Sequence, residues 1–493
     1  MTNFNSVRYL LEDYPKTLFP LSTTKVVVEN NAESLFEYIY QKVLNKNEKD
    51  YSFLSQVRCY SSKHDLHLRR TVKLDPVADL FIYDLIYRNR TTFRKDFNTN
   101  RRSFGYRFQD GRPISPTKSY ADFKAAIAQA RQQYKFNIKF DISAYFNSIY
   151  QHDLVAWFSE GSRSQDDIES FGLFLREANG GRSIDCLPQG IHPCKVIGAE
   201  FLKFVDNSMK IQCELLLRFM DDFYLFSDDE GKLASDFITI QKMLGEKGLS
   251  LNSAKTIYGE ILDTHFPRTI DGIKLSLLHL RRQIIEVSGL FSEDDHDEDE
   301  QLTEEQIDYL LSLLKEPDID ESDAELVLIL LRDYEEDVLE KMYIFLERFP
   351  SLNRNIYNFC QEVKNVNYLS FLIINFLKNG KNITEDQLFW MAKISEDFLS
   401  KTPNYAEIIS ALYYHLNATD ISRAKILEIP ENRFGMDDLR REHIRIGKSD
   451  WLAWASAVGC RRETTINRNH ILSYFSKASP MNKLIADCVT HLA

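Results

Sequence analysis

The sequence has few cysteines, few glycines and no long apolar run. Its 493 residues include seven cysteines without a Cys-x-x-Cys pair, which argues against a disulfide framework and a zinc ribbon. Only 18 glycines and 13 prolines occur, so collagen-like and low-complexity chains are excluded. The sequence also lacks a leader-like opening and any stretch that would span a bilayer. We therefore expect a globular cytoplasmic protein that has no contact with membranes.

Positive charge is scarce in one part of the chain and concentrated in another. The net charge is −12, and residues 291–493 carry 22 basic against 37 acidic residues. Residues 51–140 carry 18 basic and 7 acidic residues, interleaved with aromatic side chains. This asymmetry predicts that the basic region binds phosphate, although charge scattered over a solvated surface is an alternative.

Hydrophobic periodicity divides the chain into three parts. Residues 1–290 predict an α+β domain, with a helix over Ala32–Leu44 and short strands that continue to about Val287. Residues 291–306 hold nine carboxylates and no lysine or arginine, which predicts an acidic linker. Residues 307–493 have helical spacing and predict an all-α domain. It is either a HEAT-like stack of helices or a plain bundle, because no sequence repeat is evident.

Three carboxylates lie at the ends of predicted strands. Phe136–Phe140 alternates apolar and polar residues and is followed by Asp141, while Asp221 and Asp222 interrupt the strand-rich segment Leu215–Ser227. An Asp-Asp pair alone is most often part of a turn. Carboxylates brought together repel one another unless a divalent cation neutralises them, and oxygen ligands suit Mg²⁺ or Mn²⁺. Two such ions about 3.5–4 Å apart would support phosphoryl transfer.

Four motifs in a fixed order accompany these carboxylates. FDISAYF (140–146) is followed by LPQG (187–190), FMDD (219–222) and LSLNSAKT (249–256). With them the sequence resembles the reverse transcriptases, in which these segments correspond to motifs A, B, C and D. The resemblance covers about residues 60–285 and implies the fingers and palm of a right-hand polymerase.

The resemblance implies catalytic roles for four residues. Asp141, Asp221 and Asp222 would be the catalytic carboxylates and the ligands of Mg²⁺ (or Mn²⁺). Lys255 would approach the triphosphate and protonate the leaving pyrophosphate. The alternative for Lys255 is a surface lysine.

The resemblance also implies residues that bind the nucleotide substrate, a dNTP. Phe146 would block a ribose 2′-hydroxyl, and Gln189 would lie against the nascent base pair. Core packing for Phe146 and a turn cap for Gln189 are the structural alternatives. A cation of the fingers should hold the triphosphate, and the candidates are Arg107, Arg112 and Lys118.

The chain also departs from template-copying reverse transcriptases. The Ser-Pro pair that commonly follows their motif-B Gln-Gly is absent from Ile191–Val196, and His192, Cys186 and Cys194 are expected to be structural. No thumb or nucleic-acid-binding module is visible after motif D. Instead, an acidic helical region follows, which would repel a duplex leaving the palm.

This combination is similar, over the whole chain, to the bacterial abortive-infection reverse transcriptases of the AbiK and Abi-P2 type. The resemblance implies DNA synthesis without a template, primed by a protein hydroxyl, so that the product stays covalently attached. It also implies a homo-oligomer that acts in phage defence. Two alternatives stay open: a template-directed defence reverse transcriptase and a non-catalytic nucleotide-binding sensor.

Overall fold

The computed structural model describes residues 4–93, 98–109, 111–162, 164–260, 272–274, 276–278, 280–281, 302–430 and 436–492. The N-terminal region mixes helices with short strands. The helices bounded within residues 4–260 are α1 (Phe4–Asp13), α2 (Ser22–Glu37), α3 (Pro76–Arg88), α4 (Pro116–Gln133), α5 (Tyr145–Ser148), α6 (Gln151–Gly161), α7 (Gln165–Ala178), α8 (His192–Phe201), α9 (Lys203–Asp206) and α10 (Glu230–Gly245). The strands are β1 (Val57–Ser62), β2 (Leu68–Lys73), β3 (Arg101–Phe104), β4 (Phe108–Gln109), β5 (Arg112–Pro113), β6 (Phe136–Phe140), β7 (Leu215–Phe219), β8 (Asp222–Ser227) and β9 (Ile257–Glu260).

A five-stranded sheet forms the centre of this region. Its strand order is β3-β7-β8-β6-β9, in which only the pair β3 and β7 is parallel. Alternation along the strands separates the two faces. Ile138 and Phe140 pack with Phe223 and α10 on one face, while Tyr224 packs with Phe123 of α4 on the other. Helices cover both faces of the sheet. Polar side chains that carry chemistry are therefore expected at the edge where the strands end in loops.

Two small hairpins flank the sheet. β1 and β2 pair antiparallel from Val57↔Lys73 to Ser62↔Leu68, and we call this pair the fingers hairpin. β4 and β5 form a two-residue pair. The fingers hairpin is followed by α3, whose N-terminus is capped by the Asp75 carboxylate.

The C-terminal region is a two-layer stack of helices, here called the helical stack. Its helices are α11 (Glu304–Lys315), α12 (Glu321–Leu330), α13 (Glu335–Arg348), α14 (Asn353–Cys360), α15 (Val366–Asn379), α16 (Glu385–Ile394), α17 (Tyr405–Tyr413), α18 (Asp420–Leu427), α19 (Met436–Ile446), α20 (Trp451–Gly459), α21 (Thr465–Phe475) and α22 (Pro480–His491). Helices contact the next-but-one helix along each layer, as α12 contacts α14 and α14 contacts α16. The choice between a HEAT-like stack and a plain bundle stays a prediction.

The helical stack packs directly against the N-terminal region. α2 contacts α20 and α22, and β1 contacts α16. The Glu428 carboxylate accepts hydrogen bonds from the backbone amides of Ser22 and Thr23, at 2.8 and 2.7 Å, and so caps α2. Lys425 is fully buried and lies 2.7 Å from Glu428. A single apolar core joins both regions, with Phe19 edge-to-face on Phe389 at the boundary.

Two predictions about local structure need correction. The helix expected over Ala32–Leu44 is present as far as Val43, but it continues a helix that begins at Ser22 and has a kink at Asn31, where φ is −139°. Its β-branched valines disfavour a helix in isolation, but their burial outweighs that preference. The short strands expected to about Val287 stop at Glu260 in the described residues, since 272–274, 276–278 and 280–281 are helical. Leu277 and Leu280 are buried there at helical spacing.

The predicted acidic linker 291–306 lies largely outside the described residues. Its last residues belong to α11, which begins with a capping box formed by Thr303 and Gln306. All seven cysteines are buried and unpaired. None of the helices in the described ranges is long and apolar enough to cross a membrane.

Candidate active site

Three carboxylates lie where the central strands end. β6 and β8 run antiparallel with Phe140 opposite Phe223, so that Asp141, one residue beyond β6, lies beside Asp222. Asp221 occupies the turn between β7 and β8, after Met220, which has a φ of 55°. The strand register therefore brings the three predicted carboxylates to one edge of the sheet.

A buried arginine holds the turn that carries Asp221. Arg218 is completely buried, and its Nη1 donates a hydrogen bond of 2.8 Å to the Met220 carbonyl. Its Nε donates to Asp206 Oδ1 at 2.8 Å, which pairs the charge inside the protein. Because a buried ion pair with several hydrogen bonds has one favoured geometry, Arg218 fixes the turn. Nothing in the sequence pattern distinguishes Arg218 from a surface arginine.

Burial and mutual repulsion raise the proton affinity of this carboxylate cluster. Burial, followed by the charges of Asp222 and Asp141, raises the pKa of Asp221 to about 6. Burial also raises the pKa of Asp222, and the charges of Lys139 and Lys255 oppose that effect. A site that raises the pKa of its carboxylates in this way favours an added positive charge.

Lys255 supplies one such charge from the side. Its Nζ lies 3.1 Å from Asp141 Oδ2, and the same contact raises the pKa of Lys255. The loop that carries Lys255 is held to the end of β6, since Asn252 donates from its backbone amide to the Asp141 carbonyl at 2.9 Å. The Lys255 side chain remains about two-thirds exposed, so its ammonium group is accessible to a ligand.

The carboxylates have the donor chemistry of a divalent metal site. Asp141 Oδ1 is buried and has no hydrogen-bond partner within the described part of the chain. A hard, unpartnered oxygen next to two repelling carboxylates suits Mg²⁺ or Mn²⁺. Among the residues that the structure covers, however, no three His, Cys, Asp or Glu side chains surround one point closely enough to hold an ion. The oxygen donors fit the cation in their chemistry but not in their present spacing, and Asp141, Asp221 and Asp222 would be its ligands.

Phe146 lies on a turn that is packed against α8. Ala144 precedes it with a φ of 47°, and Tyr145 anchors the turn by donating a hydrogen bond of 2.7 Å to the Gly198 carbonyl. The Phe146 ring is half-buried and so close to Gly198 that an added Cβ would lie 3.1 Å from its Cζ. The absence of a side chain at Gly198 therefore determines where this ring lies.

Gln189 lies next to the same turn. Its Nε2 donates a hydrogen bond of 3.1 Å to Asn147 Oδ1, and its carbonyl accepts one of 2.7 Å from the Thr71 hydroxyl of β2. Gly190 follows with a φ of 99°, and a Cβ there would lie 2.5 Å from Leu18 Cγ. These contacts fix the LPQG loop between the fingers hairpin and α5.

A charged network supports Gln189 from behind. Asn147 Nδ2 donates to Asp185 Oδ1 at 2.6 Å. Asp185 is paired with Arg58 and lies 3.0 Å from Arg70 Nε, both on the fingers hairpin. Sequence reasoning missed this network. The only available signal was the position of Asn147 directly after Phe146.

Two cations that act on Asp221 were not among the predicted triphosphate-binding residues. Arg112 is exposed on β5 and Lys118 is exposed in the first turn of α4, while Arg107 donates to the Ser103 carbonyl at 3.3 Å. The charge of Asp221 instead acts on Lys63 and Arg69, both on the fingers hairpin. A phosphate role for Arg107, Arg112 or Lys118 stays a prediction.

Comparisons with known proteins point to one family for the central part of the chain. Residues 89–310, which include the three carboxylates and Lys255, match the family described as reverse transcriptase (RNA-dependent DNA polymerase). No curated protein sequence matches the chain.

Solved structures that are similar to the chain include two telomerases from yeasts of the genus Candida. One is telomerase from Candida albicans in complex with a fragment of telomeric RNA, at 15% identity and a TM-score of 0.30, covering 73% of this chain and 65% of that one. The other is apo telomerase from Candida tropicalis, at 13% identity and a TM-score of 0.33, covering 78% of this chain and 73% of that one. This chain thus spans slightly less than two thirds of the Candida albicans protein.

Proposed function

We propose that the chain is a nucleotidyltransferase of the reverse transcriptase type, whose family residues 89–310 match, and that it synthesises DNA without copying a template. The proposal includes a protein hydroxyl as primer, a covalently attached DNA product, a homo-oligomer and a cytoplasmic role in abortive phage defence. These finer features rest on the similarity to the abortive-infection reverse transcriptases. The observation that carries the polymerase activity is the contact between Lys255 and Asp141 beside two carboxylates of raised pKa.

Each residue of the site has a task in nucleotidyl transfer. The primer hydroxyl loses its proton to solvent and attacks the α-phosphorus of a dNTP, the bond to the β-phosphate breaks, and pyrophosphate leaves. Asp141, Asp221 and Asp222 would hold a divalent cation, which would supply charge stabilisation for the phosphates. Lys255 is positioned to neutralise the leaving pyrophosphate and to give it a proton. Phe146 limits the space at the ribose 2′ position.

Two features of the helical stack support synthesis without a template. Glu385 and Asp386 of α16 accept hydrogen bonds of 3.0 Å from the backbone amides of Tyr60 and Ser62, so the stack is fixed to the fingers hairpin. Residues 291–493 also carry a net charge of −15, from 22 basic and 37 acidic residues. The net negative charge of the stack as a whole disfavours a DNA duplex along it, because duplex DNA is itself densely charged. The layered packing of the stack supports its HEAT-like assignment.

The purified full chain provides the test. We would incubate it with Mg²⁺ and labelled dNTPs in the absence of nucleic acid and resolve the products on a denaturing protein gel. We expect the label to migrate with the protein, and mass spectrometry of its peptides to locate nucleotides on one hydroxyl-bearing residue. Label that is incorporated only when an annealed template and primer are added would instead identify a template-directed reverse transcriptase.

The control is the double variant Asp221→Asn, Asp222→Asn, which keeps the shape of both side chains. It should fold normally and attach no label, because its amides bind a divalent cation far less well than carboxylates do. A variant that still protects cells against phage would support the non-catalytic sensor instead.

A further inference from the structure

A cavity of about 830 Å³ lies between the fingers hairpin and the helical stack. Its size is in the range of sites that enclose a ligand as large as a nucleotide. Residues from the N-terminal segment, the fingers hairpin, the loop after α10 and the helical stack line it together. Those used in the argument are Lys16, Lys63, Arg69, Lys255, Arg354 and Trp390.

The cavity has an excess of positive charge. Five lysines and arginines line it, against two aspartates. Asp386 is engaged by the hairpin, since its Oδ1 accepts a hydrogen bond of 2.6 Å from the Ser62 hydroxyl. Asp65 is exposed at the hairpin tip, 3.5 Å from His64. The lining therefore keeps a net positive charge even with both carboxylates counted.

Arg354 brings a cation of the helical stack into this cavity. It follows Asn353 in the first turn of α14, and its Nη1 donates a hydrogen bond of 3.3 Å to the Lys16 carbonyl. Its side chain is accessible to solvent within the cavity, although the surrounding protein lowers its pKa by desolvation. A cation held in place by a neutral carbonyl keeps its capacity to bind an anion.

Three other cations that line the cavity, Lys63, Arg69 and Lys255, interact electrostatically with the carboxylates of the candidate active site. Desolvation, with a smaller effect from Arg69 and Lys255, lowers the pKa of Lys63, and Asp221 and Asp141 act on it in the opposite direction. Lys255 itself contacts Asp141. An anion in the cavity would thus lie between the reacting site and the helical stack.

We propose that this cavity binds the polyphosphate chain of a nucleoside triphosphate and that Arg354 contacts the phosphates from the helical stack. The inference rests on the proposed function and deepens it, because it assigns a substrate-binding residue outside the region 89–310 that matches the family. The helical stack is then one wall of the nucleotide site. Polyphosphate is the ligand chemistry that several converging cations recognise.

Binding of inorganic tripolyphosphate to the full chain tests this proposal without requiring catalysis. Calorimetric titration in a metal-free buffer measures the dissociation constant for the wild type and for Arg354→Gln. We expect the substitution to weaken binding by about tenfold or more, the effect of losing one charge-assisted hydrogen bond. Arg354→Lys should retain most of the affinity. The matched control is Arg462→Gln, which removes the same charge from an exposed turn of the helical stack outside the cavity.

The outcomes distinguish failure of the cavity proposal from failure of the proposed function. Unchanged binding in Arg354→Gln, or no binding by the wild type, overturns the inference even if the protein incorporates dNTPs. Binding that depends on Arg354 sustains the inference even if no DNA is made. A short single-stranded oligonucleotide that binds as tightly as tripolyphosphate, with the same sensitivity to Arg354→Gln, would assign the cavity to the product backbone and overturn the nucleotide proposal. In active protein, Arg354→Gln should raise KM for dNTPs more than it lowers kcat.

Discussion

At the scale of single residues, Lys255 connects the carboxylates with the solvent-filled space beside them. One side of its ammonium group is held by Asp141 at 3.1 Å, while most of the side chain is exposed. Such a lysine can follow the charge that develops on a leaving phosphate without losing its anchor. Its geometry therefore suits general acid catalysis better than substrate recognition alone.

We expect Lys255→Gln to lower kcat for dNTP incorporation by about 10²-fold or more, the usual contribution of a positioned general acid. The change in KM should be smaller, because other cations also face the cavity. Steady-state kinetics under the conditions of the labelling experiment measure both parameters. Lys242→Gln, at an exposed position of α10, serves as the control. Equal kinetics for the Lys255 and Lys242 variants would contradict the assignment.

The protonation of His192 is expected to affect the stability of the folded protein. It is buried, its ring is hydrogen-bonded to the Tyr9 hydroxyl, and its Nε2 has no hydrogen-bond partner among the described residues. Burial lowers the pKa of His192 to about 4, with Asp13 acting in the opposite direction and Lys195 adding to the effect. The folded protein therefore keeps the ring neutral at pH values where the unfolded chain is protonated.

This difference predicts a loss of stability in acid. As the pH falls from about 6.5, the unfolded-state pKa, to about 4, only the unfolded chain binds the proton, and the free energy of unfolding should drop by roughly 3 kcal/mol. Urea unfolding at several pH values in this window measures the drop. In His192→Gln this part of the pH dependence should vanish, whereas exposed His470→Gln should behave like the wild type. The same slope in the His192 variant would contradict the expectation.

At the scale of elements, the contact between α8 and the turn at α5 sets the position of Phe146. A Cβ on Gly198 would lie 3.1 Å from Phe146 Cζ and 3.4 Å from Tyr145 Cε1. Gly198→Ala should therefore destabilise the protein by about 1–3 kcal/mol, as overpacking does, despite the better helix propensity of alanine. Displacement of the ring should also lower the preference for dNTPs over rNTPs by about tenfold or more. Urea unfolding and competing incorporation of the two nucleotides measure these effects.

Gly245 of α10 offers the matched comparison. A Cβ there meets no atom within 4 Å, so Gly245→Ala should leave nucleotide preference unchanged and stabilise the helix by up to about 1 kcal/mol. If Gly198→Ala behaved in the same way, the close approach of α8 would have no role in selecting the sugar.

Elements with a local cause could be predicted from the sequence. Alternation of apolar and polar residues located β6, and the polar interruption of Leu215–Ser227 located the turn between β7 and β8. The joint role of Asp141, Asp221 and Asp222 was implied by the resemblance to the reverse transcriptases and not by these patterns alone. The spacing of apolar residues after the acidic segment correctly indicated helices, because each helix buries one apolar face.

Elements that depend on distant partners could not be predicted in this way. The kink at Asn31 and the early start of α2 arise from packing against α20 and α22, which lie more than 400 residues away in sequence. The buried role of Arg218 depends on Asp206, and nothing in the chain order links them. For the same reason, the cations of the fingers hairpin were not recognised as neighbours of Asp221.

At the scale of the whole molecule, a buried ion network joins the two regions. Lys425 is completely buried between Glu396 and Glu428, and Glu428 caps α2. Lys425→Met would leave the buried Glu428 and the partly buried Glu396 without their cation and should lower the free energy of unfolding by about 3–5 kcal/mol. The exposed Lys401→Met in the same stack should have little effect. Urea unfolding followed by circular dichroism compares the two variants.

The second part of this prediction concerns the shape of the unfolding curve. Because one apolar core extends through both regions, we expect the helical stack and the N-terminal region to unfold in a single transition. Lys425→Met should shift that transition without splitting it. Two separate transitions in the wild type would show that the regions are independent units.

The cap that Glu428 places on α2 has a consequence for how such a protein can change over time. The first amides of α2, which precede the fingers in the chain, are satisfied by a residue more than 400 positions later. Exchanging the stack for that of a distant homologue would leave these amides and Lys425 without partners. Recombination at the acidic segment is therefore disfavoured, and the two halves of the chain should be inherited together.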